Sequence, residues 1–187
     1  MKIYKTILIF LSLSFNYCIQ IDDLKMISFN IHGFKTSKIE KKINEIIDNI
    51  QEFDVIFFQE NWKFDYLLKR ELSEYKIISK INNSSKMFGS GLTIGIKNIE
   101  IIEEEEIFFN TCNGLIFNGS DCFASKGFIF SRIRLNNKFI DIYNTHLDAG
   151  KSKKDIYVRG LQLNKLKNYM LDKNSNNQLI ICGDFNI

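Results

Sequence analysis

The sequence contains no proline, two histidines, four cysteines and one tryptophan among 187 residues. So few histidines and cysteines exclude a Cys/His cluster of the structural zinc type as the organising feature of the chain. The absence of proline and the excess of phenylalanine, with 17 residues, reflect compositional drift and carry no functional signal. The N-terminal apolar stretch, residues 7–15, is too short for a comfortable membrane span.

The first 20 residues are typical of a secretory signal peptide. Lys2 and Lys5 precede the apolar stretch, and polar residues follow it. We expect cleavage near residues 18–20, with an uncleaved signal anchor as the alternative. The prediction is therefore a signal peptide over residues 1–20 and a single domain over residues 21–187, located outside the cell or in the endomembrane lumen.

The charge balance argues against a nucleic-acid partner. Removal of the predicted leader takes away two lysines and no acid, which leaves 23 basic and 22 acidic residues, a net charge of about +1. Domains that bind nucleic acid usually carry a clear basic surplus. We expect no nucleic acid and no stable protein partner. The remaining length is enough for one domain with a substantial core.

The cysteines outside the leader predict one disulfide and one free thiol. Cys112 and Cys122 flank a short Gly/Asn-rich segment and are expected to pair in an oxidising compartment. Cys182 lies inside an apolar stretch and is expected to be buried and free. Loop-like sequence also contains three glycosylation acceptor patterns, which begin at Asn82, Asn83 and Asn118. Together with the leader, these features favour export from a eukaryotic cell.

Hydrophobic periodicity predicts one α/β domain with more strand than helix. Helices are expected over residues 39–53, 67–75 and 157–171. Strands are expected over residues 24–29, 54–58, 76–81, 92–96, 99–102, 107–109, 128–135, 139–144 and 179–182. The acidic run at residues 103–106 is expected to be a solvated edge or turn, with a binding role as the alternative. The apolar stripe of the last helix is expected to contain Leu161, Leu163, Leu166, Tyr169 and Met170.

Four predicted strands end in polar side chains that strand packing does not require. In chain order these residues are Asn30, Gln59, Glu60, Asn144, His146, Asp184 and Asn186. Asp184 and Asn186 are two positions apart, so they project from the same face of an extended chain. Carboxylates, carboxamides and an imidazole together are the components of a hydrolytic metal site. Hard oxygen donors favour Mg²⁺ or Mn²⁺ as the ion.

The order of these motifs resembles the endonuclease/exonuclease/phosphatase superfamily, the Mg²⁺-dependent fold of pancreatic-type deoxyribonuclease. The shared marks are FN after the first strand, QE after the second, THL, and GDFN at residues 183–186. Within the superfamily the chain is most similar to secreted and neutral sphingomyelinases, which carry KGF, THL, R-x-x-Q-L and GDxN in this order. The likeness covers nearly all of residues 24–187. It implies a deoxyribonuclease-like, four-layer αββα sandwich of two mixed β-sheets.

The resemblance also implies a role for each strand-end residue. Glu60 is expected to be the principal Mg²⁺ ligand, with Asn30 beside it. His146 is expected to donate to a phosphate oxygen and to stabilise charge at the transition state. Asp184 is expected to position the attacking water, and Asn186 to donate on the phosphate side as a catalytic and substrate-binding group.

Other residues near these motifs carry weaker implications. Lys126, in the KGF element, is expected to add positive charge near the phosphate, with a solvated loop lysine as the alternative. Arg159 and Gln162 are expected to brace a helix and loop. His32 matches no motif and is assigned no role. Two aromatic residues that follow Glu60 are open to core packing or to contact with choline or membrane: Trp62 and Phe64.

The implied reaction is Mg²⁺-dependent hydrolysis of a phosphodiester by water. The implied substrate is sphingomyelin in a membrane surface, and the products are ceramide and phosphocholine. A deoxyribonuclease-like or other phosphodiesterase of the same superfamily is one alternative, and a non-catalytic remnant that binds lipid or metal is another. The KGF element at Lys126 favours the lipid enzyme.

The sequence also departs from the family pattern. It stops after Ile187, where about the last third of such a domain is expected to begin. The resemblance places the general base, a histidine of an Asp-His pair, in that third, and neither His32 nor His146 follows Asn186. We therefore expect the 187-residue chain to be inactive or nearly so, because loss of a general base costs about 10²–10⁴ in rate.

Overall fold

The computed structural model describes residues 8–9, 17–21, 24–33, 39–79, 88–114, 121–173 and 176–187. The strands in these residues are β1 (Leu8–Ile9), β2 (Tyr17–Ile21), β3 (Leu24–Asn30), β4 (Val55–Gln59), β5 (Tyr75–Ile78), β6 (Thr93–Lys97), β7 (Glu100–Phe108), β8 (Gly127–Leu135), β9 (Lys138–His146) and β10 (Gln178–Asp184). The helices are α1 (Ile39–Ile50), α2 (Asp65–Glu71) and α3 (Lys153–Asp172), with one 3-10 turn at Asp121–Phe123.

The described strands form two mixed sheets of five strands each. One sheet has the order β2-β3-β4-β6-β5, and the other has the order β1-β10-β9-β8-β7. The neighbours β3 and β4 are parallel, and so are β9 and β10. Each parallel pair therefore has both carboxyl ends at the same edge of its sheet. These two edges carry the predicted site residues.

The sheets pack face to face between two layers of helix. Apolar side chains of both inner faces form one core, which includes Met26, Val55, Phe57, Ile94, Ile129, Ile142, Ile180 and Cys182. Helices α1 and α2 cover the outer face of the β3–β4 sheet through Ile43, Ile47, Leu67 and Leu68. Helix α3 covers the other outer face, where Leu166 packs near Phe128, Phe130 and Tyr143. This arrangement confirms the predicted four-layer αββα sandwich.

Helix α3 begins four residues earlier than predicted. Its N-cap is Ser152, whose hydroxyl accepts a hydrogen bond from the Asp155 backbone at 3.1 Å, while the Asp155 carboxylate accepts from the Ser152 backbone at 2.8 Å. This capping box satisfies two backbone donors that a helix otherwise leaves unpaired. The predicted apolar stripe is wrong at Leu161 and Leu163, which are exposed.

The acidic run at residues 103–106 lies inside one continuous edge strand, β7, and not in a turn between two strands. Glu103 and Glu105 both contact the Lys173 ammonium, and Glu104 lies 3.1 Å from Lys76. Because successive side chains of a strand alternate between its faces, the run reaches cations on both sides. The expected edge position is correct, and the expected turn is wrong.

Helix α2 begins two residues and ends four residues earlier than predicted, and the strand after it begins at Tyr75, one residue earlier than predicted. Helix α2 ends at Glu71, and Tyr75 pairs with Lys97 in the sheet.

Among the described helices, none is both long and apolar enough to cross a bilayer. Most of residues 1–20 lie outside the described residues, as do Asn82, Asn83 and Asn118. The signal peptide and the glycosylation sites stay predictions.

The cysteine pattern is confirmed. Cys112 and Cys122 form a disulfide, and Cys182 is a buried free thiol. Burial raises the pKa of the Cys182 thiol to about 12. Cys182 is therefore a thiol that packs as a small apolar side chain between the sheets and is not a nucleophile at neutral pH.

Candidate active site

The four predicted strand ends meet at one edge of the sandwich. Asn30 ends β3, Glu60 follows β4, His146 ends β9 and Asp184 ends β10. In the sheets, Asn30 is the register partner of Gln59, and Asp184 is the register partner of His146. Strands β3 and β4 thus bring Asn30 beside Glu60, the residue after Gln59, and strands β9 and β10 bring His146 beside Asp184. The face-to-face packing of the sheets brings the two pairs together.

The amide of Asn30 joins the two sheets at this point. Its Nδ2 donates to Oε1 of Glu60 at 2.9 Å and to Oδ2 of Asp184 at 3.0 Å. Its Oδ1 accepts from the backbone N–H of His32 at 3.0 Å, which fixes the orientation of the amide. Two carboxylates from different sheets therefore converge on one nitrogen atom. Two carboxylates that converge in this way create a negative potential, which favours a bound cation.

The backbone of Glu60 is held in a left-handed conformation, with φ of 59°. Its carbonyl accepts from Gly33 at 3.1 Å and from Trp62 at 2.9 Å. A Cβ at Gly33 would lie 2.2 Å from that carbonyl oxygen, so only glycine allows this approach. Such a conformation costs about 1–3 kcal/mol and persists where surrounding contacts impose it. The result is a carboxylate aimed out of the strand toward Asn30.

His146 is a neutral imidazole at the base of the site. The residue is 4% exposed, and its Nε2 lies 3.9 Å from Oδ2 of Asp184. Burial, followed by the electrostatic effects of Lys126 and His32, lowers the pKa of His146 well below its ordinary value. Its Nδ1 is buried and has no hydrogen-bond partner in the described part of the chain. A neutral imidazole can donate one hydrogen bond to a phosphate oxygen.

Lys126 is buried, so the alternative of a solvated loop lysine is wrong. Its Nζ donates to the carbonyl of Leu147 at 2.9 Å and lies 3.1 Å from Oδ1 of Asp121. The Nδ2 of Asn186 donates to the same Leu147 carbonyl at 2.9 Å. Lys126 and Asn186 are thus brought together beside His146. Their roles toward phosphate stay predictions.

Gln59 and Asn144 support the site from within the core. Gln59 Nε2 donates to Oδ1 of Asn144 at 2.7 Å, across the space between the sheets. Asn144 Nδ2 in turn donates to the carbonyls of Phe58 and Thr93, both at 2.9 Å. Both amides are fully buried, where hydrogen bonds between polar groups are strongest. They fix the strands that carry Glu60 and His146 and do not face the site opening.

Arg159 and Gln162 brace the loop after β9, as predicted. Arg159 Nη1 donates to the carbonyls of Asp148 and Gly150 at 3.0 and 2.8 Å. Gln162 accepts from the backbone of Asp148 at 2.9 Å and donates to its carboxylate at 2.7 Å. Burial raises the pKa of Asp148, against the lowering effect of hydrogen bonds from Asn113 and Gln162. The loop that carries the Leu147 carbonyl is therefore rigidly supported.

Sequence reasoning missed His32. Its Nδ1 lies 3.5 Å from Oε2 of Glu60, and the residue is exposed at the rim. The one signal in the sequence was its position two residues after Asn30.

Trp62 and Phe64 are buried, which favours core packing over a role in headgroup contact.

The donor set at this edge fits a magnesium ion. Among the described residues no group of three or more His, Cys, Asp and Glu side chains is arranged to hold a metal. Glu60 and Asp184 instead supply two carboxylates, and Asn30 lies between them. Mg²⁺ commonly uses one or two carboxylates and keeps several waters. The assignment of Glu60 and Asn30 as ligands stays a prediction.

The fold and the site together define a domain of the endonuclease/exonuclease/phosphatase class. Residues 6–187 match the model of endonuclease/exonuclease/phosphatase family 2, and the chain belongs to this family. Mouse (Mus musculus) sphingomyelin phosphodiesterase 2 is 30% identical over 158 residues, which cover 79% of this chain and 36% of the relative. Sphingomyelinase C of Bacillus cereus is 33% identical over 76 residues, which cover 37% and 22%. The chain thus spans about a third or less of these relatives.

Solved structures share the fold. A beta toxin mutant from Staphylococcus aureus with bound magnesium ions has a TM-score of 0.75 at 22% identity, with 88% of this chain and 65% of that chain covered. D. rerio TDP2, complexed with a single-strand DNA product, has a TM-score of 0.66 at 16% identity, with 88% and 61% covered. The predicted superfamily is confirmed by the family match, and these structures show that the fold is shared.

Proposed function

We propose that this chain carries the cation-binding and phosphate-binding groups of a Mg²⁺-dependent phosphoric diester hydrolase whose substrate is sphingomyelin. The observation that supports the proposal most directly is the convergence of Glu60 and Asp184 on the amide of Asn30. The magnesium ions in the beta toxin structure support the choice of ion.

Each residue contributes a distinct step to this proposal. Glu60 and Asn30 would hold Mg²⁺, which, when bound, polarises a phosphoryl group and neutralises developing charge. His146, neutral and buried, donates a hydrogen bond to a phosphate oxygen. Asp184 accepts from the attacking water and orients it, and its Oδ1 is itself held by the backbone of Asn186 at 3.1 Å. The products are ceramide and phosphocholine.

We propose sphingomyelin as the substrate because the relatives are named as sphingomyelin-cleaving enzymes. The nearly balanced charge of the chain also favours a lipid over DNA. The likeness to TDP2 with its DNA product gives the phosphodiester of DNA as the alternative. We propose export from the cell, because disulfides persist in oxidising compartments and Cys112–Cys122 is one.

The ion site is tested by calorimetric titration of the purified chain with Mg²⁺. Glu60→Gln removes the charge of the proposed ligand, so we expect the Mg²⁺ binding of the wild type to be lost. The matched control is Glu45→Gln, an exposed carboxylate on α1, which should leave binding unchanged. Equal binding by the wild type and Glu60→Gln would contradict the proposed site.

The substrate is tested with sphingomyelin vesicles and with plasmid DNA, each with Mg²⁺ and then EDTA. We expect slow, Mg²⁺-dependent release of phosphocholine that Glu60→Gln abolishes, and no nicking of the plasmid. Release is slow because the lowered pKa of His146 makes it a weak general base, and because His32 lies exposed beside Glu60. Nicked plasmid with intact sphingomyelin supports the alternative, and vesicle binding with no release supports a non-catalytic remnant.

A further inference from the structure

The outward face of the first turns of α3 presents large apolar side chains to solvent. Ile156 is 58% exposed, Tyr157 is 67% exposed and Leu161 is 38% exposed. Residues four positions apart lie on one face of a helix, so Ile156 neighbours Gly160, and Tyr157 neighbours Leu161. A Cβ at Gly160 would meet nothing within 4 Å, so no described element covers this surface. Tyr157 and Leu161 thus share one exposed face, and Ile156 is exposed beside it across Gly160.

The exposed charges in the first turns of α3 are all positive. Lys151, Lys153 and Lys154 are exposed at the start of α3. The acid within this turn, Asp155, is buried, and its carboxylate accepts from Asn113 and from the Ser152 backbone. The sequence contains no further Asp or Glu until residue 172. We name the set of six exposed residues the α3 patch: Lys151, Lys153, Lys154, Ile156, Tyr157 and Leu161.

The α3 patch lies at the same edge of the sandwich as the candidate active site. Helix α3 connects the parallel strands β9 and β10, so its N-terminus follows the carboxyl end of β9, where His146 lies. Arg159 ties the helix to the carbonyls of Asp148 and Gly150 in the intervening loop. A surface that rests on the α3 patch therefore comes close to the opening of the site.

Exposed lysines beside aliphatic and tyrosine side chains are the composition of helices that lie in a membrane interface. Lysines are attracted to anionic headgroups, aliphatic side chains enter the boundary of the acyl chains, and tyrosine suits the headgroup level. A nucleic acid would use the lysines but would leave Ile156 and Leu161 in water. We propose that the α3 patch docks the protein onto a bilayer that contains anionic lipid. This docking does not depend on the proposed hydrolysis.

The test is co-sedimentation with vesicles of phosphatidylcholine, alone or mixed with phosphatidylserine. EDTA is present throughout, so that loss of the proposed metal site cannot change the result. We expect the wild type to pellet with the anionic vesicles and to bind neutral vesicles more weakly. The double variant K153E/K154E should reduce association with anionic vesicles at least about tenfold, since each lysine near such a surface contributes strongly.

A matched control separates the α3 patch from total charge. The variant K41E/K69E makes the same charge change on α1 and α2, which cover the opposite outer face. Its vesicle binding should stay within about twofold of the wild type, because screening limits the reach of distant charges. Equal losses in K153E/K154E and K41E/K69E would overturn the proposal in favour of a general charge effect.

The apolar half of the α3 patch is tested by I156S/L161S. The control is L171S, because Leu171 is 64% exposed but lies about 15–22 Å further along the helix than Leu161 and Ile156. We expect binding to anionic vesicles to fall severalfold in I156S/L161S and to stay unchanged in L171S. The proposal fails in favour of a nucleic-acid partner if three results occur together. These results are a loss of binding in K153E/K154E, normal binding by I156S/L161S, and competition by plasmid DNA for the protein. Far-UV circular dichroism verifies that each variant is folded.

Discussion

His146 and Asp184 are register partners on the parallel strands β9 and β10, and Nε2 of His146 lies 3.9 Å from Oδ2 of Asp184. The imidazole is buried, and its pKa is well below the ordinary value because of burial and then the electrostatic effects of Lys126 and His32. The neighbouring carboxylate does not overcome this effect. In the metal-free protein His146 is therefore neutral at neutral pH.

The free energy of unfolding should fall as the pH drops below about 6.5. Unfolded His146 titrates near that pH, whereas the folded protein keeps it neutral to a much lower pH. The unfolded state thus takes up a proton that the folded state does not, at a cost in stability of at most about 1.4 kcal/mol per pH unit. Above this pH the group has no effect.

Urea denaturation between pH 5 and 8, in EDTA, measures this dependence. His146→Gln should remove it, whereas His32→Gln, at an exposed position, should retain most of it. Identical pH profiles for the wild type and His146→Gln would show that folding does not lower the pKa of the imidazole.

A pair of glycine substitutions should have opposite effects on stability. Gly183 has φ of 144°, and a Cβ there would lie 2.0 Å from the carbonyl oxygen of Thr145. Gly183→Ala should therefore lower the free energy of unfolding by at least about 2 kcal/mol. Gly160→Ala should raise it by about 0.5–1 kcal/mol, because this exposed helical site has room for a methyl group.

Urea midpoints of the two variants test this difference, and Mg²⁺ titration adds a second measurement. Asp184 follows Gly183 directly, so Gly183→Ala should also weaken Mg²⁺ binding, while Gly160→Ala should not. A neutral effect of Gly183→Ala on both properties would mean that the β9–β10 approach is looser than described.

Asn144→Ala should destabilise the protein by about 2–3 kcal/mol. The substitution leaves the carbonyls of Phe58 and Thr93 without their donor and removes the acceptor of Gln59. Unpaired polar groups in a core are costly. The control is Asn164→Ala on the exposed face of α3, which should change stability by less than about 0.5 kcal/mol. Chemical denaturation of the two variants should separate them clearly, and equal midpoints would contradict the inter-sheet bridge.

Loss of the Cys112–Cys122 disulfide should cost about 2–3 kcal/mol, as expected for a crosslink between residues ten positions apart. The neighbours of the two cysteines, Asn113 and Asp121, bond to Asp155 and Lys126, so the loss should also loosen the loops beside the site. Thermal melting of C112S/C122S tests the magnitude. A reductant should lower the melting temperature of the wild type to that of the variant and leave the variant unchanged. Alkylation of Cys112 and Cys122 in unreduced, denatured protein would exclude the bond.

Most of the strand segments and the strand-end site could be predicted because their signals are local, whereas the order of the strands within each sheet was not predicted. Apolar runs define the strands, and Asn30, Glu60, His146 and Asp184 each stand at the end of one. Parallel pairing then brings them to one edge without further information. The disulfide could also be predicted, because its two cysteines flank a short segment.

Other features depend on contacts between distant parts of the chain. The run at residues 103–106 belongs to a strand that pairs with β8, and its carboxylates meet Lys76, Arg132 and Lys173, which no local pattern connects to it. The approach of His32 to Glu60 depends on left-handed backbone at both residues. The outward position of Leu161 follows from the polar groups of Gln162 and Arg159, which take the inner face of α3 to hold a loop.

The hydrogen bond from Asn30 to Asp184 joins residues 154 positions apart in the chain. Closing so long a loop is entropically costly, and contacts of this kind are gained late in folding. Affinity for a cation should therefore appear after most of the helix and strand content during refolding. A kinetic assay that follows Mg²⁺ uptake would then report on the final docking of one sheet onto the other, and not on the earlier formation of either sheet.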